Sequence, residues 1–328
     1  MIQIPENWFG TTQGLWRLFE ANAMYRESPV SFPPKLMDDD DDDEEPSSSP
    51  LIQVQDGVAL LSISGPLTSQ ESWLDEWFGI TSYPAIHRAL GELVERYEAG
   101  DIHSVIQVYS TPGGDANGIN GLTESMQAAK AAIPGMIGYT GSTALSAGYW
   151  LASINDTLRV DSMGEVGSIG VVSVAKTLHR MLKEEGIDVE VVRSGKYKAL
   201  LSPYEPLSEA GLREVEQKGA QLHGFFIDHI TRQRPQLASR RTSEWAEGQT
   251  FFGQQAIDLG LADGPTTTLN ALVNRLIDEH NASSSSYSFS TLRGTDPMAK
   301  KIVVSSPEEQ AKLAAGVDLS QIQHTEVD

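Results

Sequence analysis

From Leu51 onward the chain alternates between short apolar runs and stretches whose apolar residues recur every three or four positions. GVALLSISGPL (57–67) predicts a buried strand ended by Gly65-Pro66. YPAIHRALGELVERYEAG predicts a helix stopped at Gly100. HSVIQVYS is a second buried strand running into TPGGDANG, followed by a helix over INGLTESMQAAKAA and a strand over GMIGYT. A further helix opens at Ser146. GEVGSIGVVSV and DVEVVRS predict strands on either side of a helix in AKTLHRMLKEEG. Residues 208–234 predict a long helix with Leu212, Val215, Gly219, Leu222, Phe226 and Ile230 along one side. Strands alternating with helices imply a layered α/β fold.

The texture differs on both flanks. Residues 1–36 read as an N-terminal arm in which Thr12 caps a short amphipathic helix, with Leu15, Trp16, Phe19 and Ala23 on one face. Residues 37–50 combine like charges, prolines and serines, a mixture that buries no core and reads as a solvated linker. The globular pattern occupies 51–280, and NASSSSYSFSTLRGTDP opens a polar stretch, 281–328, expected to be a flexible tail. No internal repeat is visible.

Composition narrows the function classes. The net charge of −21 argues against non-specific attraction to nucleic acid or to an anionic membrane. The run DDDDDDEE, Asp38 to Glu45, supplies eight of the 45 acidic residues; without it the balance is still 37 acidic against 24 basic. The absence of cysteine excludes disulfides, thiolate zinc sites and a cysteine nucleophile. No stretch reaches the roughly 18 apolar residues that span a bilayer. The N-terminus has neither a basic start nor an apolar signal core, so a soluble, cytoplasmic protein without a membrane anchor is expected.

Candidate chemistry lies in the middle of the chain. Pro112-Gly113-Gly114 after a buried strand forces a tight turn and lets backbone N–H groups approach a ligand, although a plain strand-to-helix turn has the same composition. Ser146, in STALSAGYW, stands at a helix start, where it is either a cap or a hydroxyl at the positive end of the dipole. It is not the G-x-S-x-G elbow, which needs glycine at Ala144. A seryl nucleophile needs a base. His87, His179, His223 and His229 fall within apparent helices, His280 and His324 at or beyond the domain's end, and His103 at the start of a strand. The other candidate is a lysine in VVRSGKYKALLSPYEPLS. A lysine acts as base only when desolvation lowers its pKa by several units from about 10.4, and the sequence after Lys198 is apolar.

Taken together, the Gly-Pro-ended strand, TPGG, LSAGYW, GSIGVV and GKYKALLSPYEPLS, in this order and closed by GQTFFGQQAIDLGLADG, resemble the signal peptide peptidase A family of serine–lysine peptidases over about residues 51–280. The resemblance implies a ClpP/crotonase-like spiral of β-β-α units. It assigns Ser146 as nucleophile and Lys198, rather than Lys196, as general base. It places Gly113, Gly114 and the Ala147 amide in the oxyanion hole and Ser168 as an assisting hydroxyl. No metal or organic cofactor is implied, and rings of identical subunits are. Thr111 and Ala147 depart from the family's commoner serine and glycine, and both changes leave the backbone donors in place.

Within that family the lack of an anchor, the SAGYW form and the added arm and tail resemble the soluble branch of lambda-type capsid assembly proteases. That branch acts on scaffold and capsid or portal proteins and on itself. Met298 offers an internal start for a scaffold segment, or is one more residue in a loose tail. Two alternatives predict different behaviour: a soluble host peptidase degrading signal-peptide remnants, and a noncatalytic or crotonase-like protein with no need of Ser146 or Lys198.

Overall fold

Apolar runs too continuous to face water on either side pair with one another in parallel and are covered on both faces. The computed structural model describes residues 7–10, 48–72 and 75–291. It opens with strands β1 (Asn7–Gly10), β2 (Ile52–Gln55), β3 (Val58–Ser64) and β4 (Leu67–Thr68). The short helix α1 (Asp75–Phe78), β5 (Thr81–Ser82) and α2 (Tyr83–Ala99) follow. β6 (Ser104–Ser110) and β7 (Gly113–Asp115) lead to α3 (Ile119–Ala132). β8 (Ile137–Thr140) and β9 (Thr143–Leu145) lead to α4 (Ala147–Ala152). Next come β10 (Thr157–Val160), β11 (Glu165–Gly167), β12 (Val172–Ser173) and α5 (His179–Glu184). α6 (Glu209–Gln233), β13 (Thr250–Phe252), α7 (Gly253–Leu259) and α8 (Leu269–Thr291) complete the order.

A β-β-α unit therefore recurs, with α1 and β5 inserted in its first copy. The first strand of each unit joins the main sheet, ordered β10-β8-β6-β3-β2 and parallel except for β2. The second strand turns away into a flanking sheet. β4 and β7 enter the order β12-β1-β7-β4-β5, and β9 enters β13-β11-β9. This is the mixed α/β architecture of β-β-α units implied by the resemblance.

Both faces of the main sheet are covered. Leu61, Ile63, Val105 and Tyr109 pack in one cluster with Ile86, Leu90 and Leu93 of α2 and Leu122 and Met126 of α3. Val58, Ile106, Ile137 and Tyr139 pack on Leu272 and Val273 of α8. α2 begins where Ser82 accepts from the Ala85 amide, and it ends, as predicted, at Gly100, which takes the left-handed conformation. Ser49, at the end of the stretch read as linker, donates its N–H to Glu92 at 2.7 Å.

The region between β12 and α6 departs from expectation. DVEVVRS forms no strand, and the helix read from AKTLHRMLKEEG shortens to His179–Glu184. A strand needs a neighbour to take its N–H and C=O groups, and no strand of the three sheets pairs with this stretch. Its apolar side chains are left outside: Met181, Ile187, Val189 and Tyr197 are exposed, and Val192 is 92% exposed. The expected stripe on α6 is buried only towards its end, at Phe226 and Ile230, while Leu212 is exposed. The helix expected from Thr12, the acidic run 38–45 and Met298 lie outside the described residues.

Candidate active site

β9 and α4 meet at Ser146. Its N–H donates to Gly167 O at 2.8 Å, and its carbonyl accepts from Trp150 N at 2.8 Å. Held between those bonds, the residue takes φ 54° and ψ −118°. A side chain rarely adopts that region, at a cost of about 1–3 kcal/mol. The residue is buried, and Oγ has no hydrogen-bond partner. A capping serine gives its oxygen to an amide two or three residues on, and Ser146 does not. Strain and an unpaired buried hydroxyl are both unfavourable, and the two coincide on this residue. Ala147 is buried at the first position of α4, where amides lack an intrahelical acceptor.

Thr111, at the end of β6, joins the elements around the serine. Its N–H donates to Thr143 O at 2.8 Å, and its carbonyl accepts from Leu145 N at 3.1 Å. Its hydroxyl donates to Gly65 O at 2.7 Å and accepts from Gly113 N at 3.1 Å. Of the expected oxyanion donors, Gly113 takes φ 104° and its amide donates to the Thr111 hydroxyl. Gly114 lies so close to β4 that a Cβ would stand 2.1 Å from Leu67 O. The sequence pointed to the turn but not to Thr111 as its clamp; the one signal was threonine before Pro-Gly-Gly.

The remaining motifs brace this arrangement. Ser168, half-buried at φ 53°, directly follows Gly167, whose carbonyl holds Ser146. Ser168 N donates to Gln249 O at 2.7 Å and Gly248 N to Ile169 O at 3.1 Å, so GSIG is fastened to the closing signature alongside the β11–β13 pairing. Tyr149 donates its hydroxyl to Leu261 O at 2.8 Å, and Trp150 donates Nε1–H to Thr123 Oγ1 at 2.8 Å.

Lys198 is not part of this assembly within one chain. It is exposed, on a turn where its N–H donates to Gly195 O at 3.1 Å and Ala199 takes φ 57°. Ser146 Oγ has no partner, so the two expected reacting groups are not bonded to each other. No described histidine bonds the serine either. His229 stacks on Trp150 with centroids 4.0 Å apart, and its Nε2 lies 3.1 Å from Trp150 O. His103 stacks on His280 at 3.9 Å. Among the described residues no group of three or more His, Asp or Glu is arranged to hold a metal. No helix among them is long and apolar enough to cross a membrane.

Fold and site together define a domain of β-β-α units centred on a strained, buried serine. Residues 128–283 match the model of Peptidase family S49. The chain is similar to Probable protease SohB of Haemophilus influenzae, 31% identical over 133 residues that cover 40% of this chain and 37% of that protein. It is also similar to Capsid assembly protease C of Escherichia phage lambda, 25% identical over 220 residues covering 67% of this chain and 49% of that protein. The chain thus spans between 37% and 49% of the length of these two relatives. Among solved structures, a mutant of the 1510-N membrane-bound stomatin-specific protease with a substrate peptide aligns at a TM-score of 0.39 and 13% identity, covering 66% of this chain and 77% of that one.

Proposed function

We propose that this chain is a serine endopeptidase in which Ser146 is the nucleophile and Lys198, from a neighbouring copy, is the general base. The observation that carries the reading is the Ser146 hydroxyl itself, buried and unpartnered on a strained turn between Pro-Gly-Gly and a helix start. Neutral Lys198 takes the seryl proton as Oγ attacks a peptide carbonyl. The amides of Gly114 and Ala147 meet the developing oxyanion, and the lysine returns the proton to the leaving amine. Water repeats the cycle on the acyl-enzyme. Ser168, next to the carbonyl that holds Ser146, orients the lysine or passes its proton.

The exposure of Lys198 and the apolar surface around it support assembly. Met181, Ile187, Val189, Val192 and Tyr197 lie on the surface of the same segment as the lysine, an apolar area of the kind that marks an interface. Covering it with a second copy excludes water from the amine, which is the condition a lysine base needs. The preferred substrates are scaffold and capsid or portal proteins and the chain's own residues beyond 280. That choice is supported by the similarity to Capsid assembly protease C of Escherichia phage lambda.

Incubation of the purified chain, with new termini read by mass spectrometry, tests the proposal. Cuts within residues 281–300 that vanish in both Ser146→Ala and Lys198→Ala are expected. Unchanged processing in both variants rules the mechanism out.

A further inference from the structure

The flanking sheet contains a strand from far outside the domain. β1 lies between β7 and β12, antiparallel to both, with Trp8 opposite Asp115, Phe9 opposite Gly114 and Gly10 opposite Gly113. On its other side Asn7 faces Ser173 and Trp8 faces Val172. Without β1 the edges of β7 and β12 would face each other across a slot one strand wide, since neighbouring strands stand about 4.8 Å apart. Such a slot takes an extended peptide by main-chain hydrogen bonding on two sides.

We propose that residues 7–10 are a tethered occupant of the peptide-binding slot of this site and compete there with substrate. The inference rests on the peptidase reading above, because β7 is the strand that carries the oxyanion turn. Three features support it. β1 runs towards that turn, so its carboxyl end lies opposite Gly113 and Gly114, the direction that brings a peptide's carbonyls to the oxyanion donors. The strand is only four residues long and β12 only two, so displacement breaks a short ladder. The 37 residues from Thr11 to Ser47 separate β1 from the described domain, enough chain for the strand to leave the slot with the domain intact. A tether of this kind holds its ligand at an effective concentration of about millimolar, and a competing peptide meets a correspondingly reduced fraction of open slots.

The test uses Ser146→Ala chains, in which no acyl transfer occurs, so its outcome does not depend on the catalytic assignment. A fluorescent synthetic peptide with the sequence of residues 5–14 is titrated against the full chain and against a chain lacking residues 1–10. Fluorescence anisotropy reports the affinity. The truncated chain is expected to bind about tenfold more tightly, and those amides of β7 and β12 that donate to β1 to exchange hydrogen faster than in the full chain. Full-length Phe9→Pro, which removes one strand N–H, is expected to shift both readings the same way and covers the case of a truncated chain that folds poorly. Equal affinity in the full chain and these variants, or no binding by any of them, with unchanged exchange, overturns the proposal. Loss of cutting by Ser146→Ala in the active background speaks only to the peptidase reading.

Discussion

A Cβ placed on Gly148 would stand 2.3 Å from Cγ2 of Thr111. The second residue of α4 is therefore glycine because the clamp before the Pro-Gly-Gly turn fills its side-chain space. Gly148→Ala is expected to push α4 and the turn apart, lowering stability by about 1–3 kcal/mol through overpacking and reducing peptidase activity more than tenfold, since about 1 Å of misplacement suffices for that. Thr111→Ser removes the methyl and keeps the hydroxyl that serves Gly65 and Gly113. The double variant should regain both stability and activity. A double-mutant cycle on thermal unfolding that shows simple additivity would contradict the contact.

Ser146 is expected to trade stability for function. Its Oγ is buried with no partner, so Ser146→Ala should abolish cutting while leaving stability unchanged or raising it by about 1 kcal/mol. Ser146→Gly also relieves the positive φ and should gain roughly another 1 kcal/mol after allowing for glycine's greater freedom when unfolded. Urea unfolding of the three proteins decides the matter. A clear loss of stability in both variants would mean that the hydroxyl makes a structural bond.

Delivery of Lys198 by a second copy predicts complementation. Chains carrying Ser146→Ala and chains carrying Lys198→Ala should each be inactive alone. Mixed in equal amounts and allowed to exchange subunits, they should recover about a quarter of wild-type activity, the share of interfaces where an intact serine meets an intact lysine. No recovery, despite exchange confirmed by native mass spectrometry, would place the base within the same chain or elsewhere.

The main sheet was legible because its strands are continuous apolar runs bounded by glycine and proline, and α2 because its apolar residues recur at helical spacing and its stop is written in sequence at Gly100. Ser146 was legible as a position, not as a conformation: the same residues suit a helix cap, and only φ 54° with an unpaired Oγ separates the two. DVEVVRS misled because β-branched alternation reports a preference for a pleated surface without saying whether a neighbouring strand exists. The place of β1 was not legible at all. Four residues, NWFG, carry no periodicity, and their pairing with β7 and β12 is set by open strand edges more than a hundred residues away. Thr111 was read only as a harmless replacement because its hydroxyl partners, Gly65 O and Gly113 N, are main-chain atoms whose positions follow from the fold.

His229 gives the fold a pH dependence that is separate from catalysis. The ring is buried, stacked on Trp150, with Nε2 near Trp150 O and Ser153 Oγ. Burial pulls its pKa down to about 4, opposed by the hydrogen bond to Trp150 and assisted by the charge of Arg232. An unfolded histidine titrates near 6.5, so between these two values the unfolded chain takes a proton that the native ring refuses. Stability from this group is complete above about pH 6.5 and falls as the pH drops towards 4. Between pH 7 and pH 5 the loss should be about 2 kcal/mol. His229→Gln, which does not titrate, should lose less than the wild type over the same interval, by about that amount, whatever the carboxylates shared by both proteins contribute. Parallel stability curves for the two proteins from pH 7.5 to pH 4.5, measured by urea unfolding, would show that the ring charges as readily in the native state as in the unfolded one.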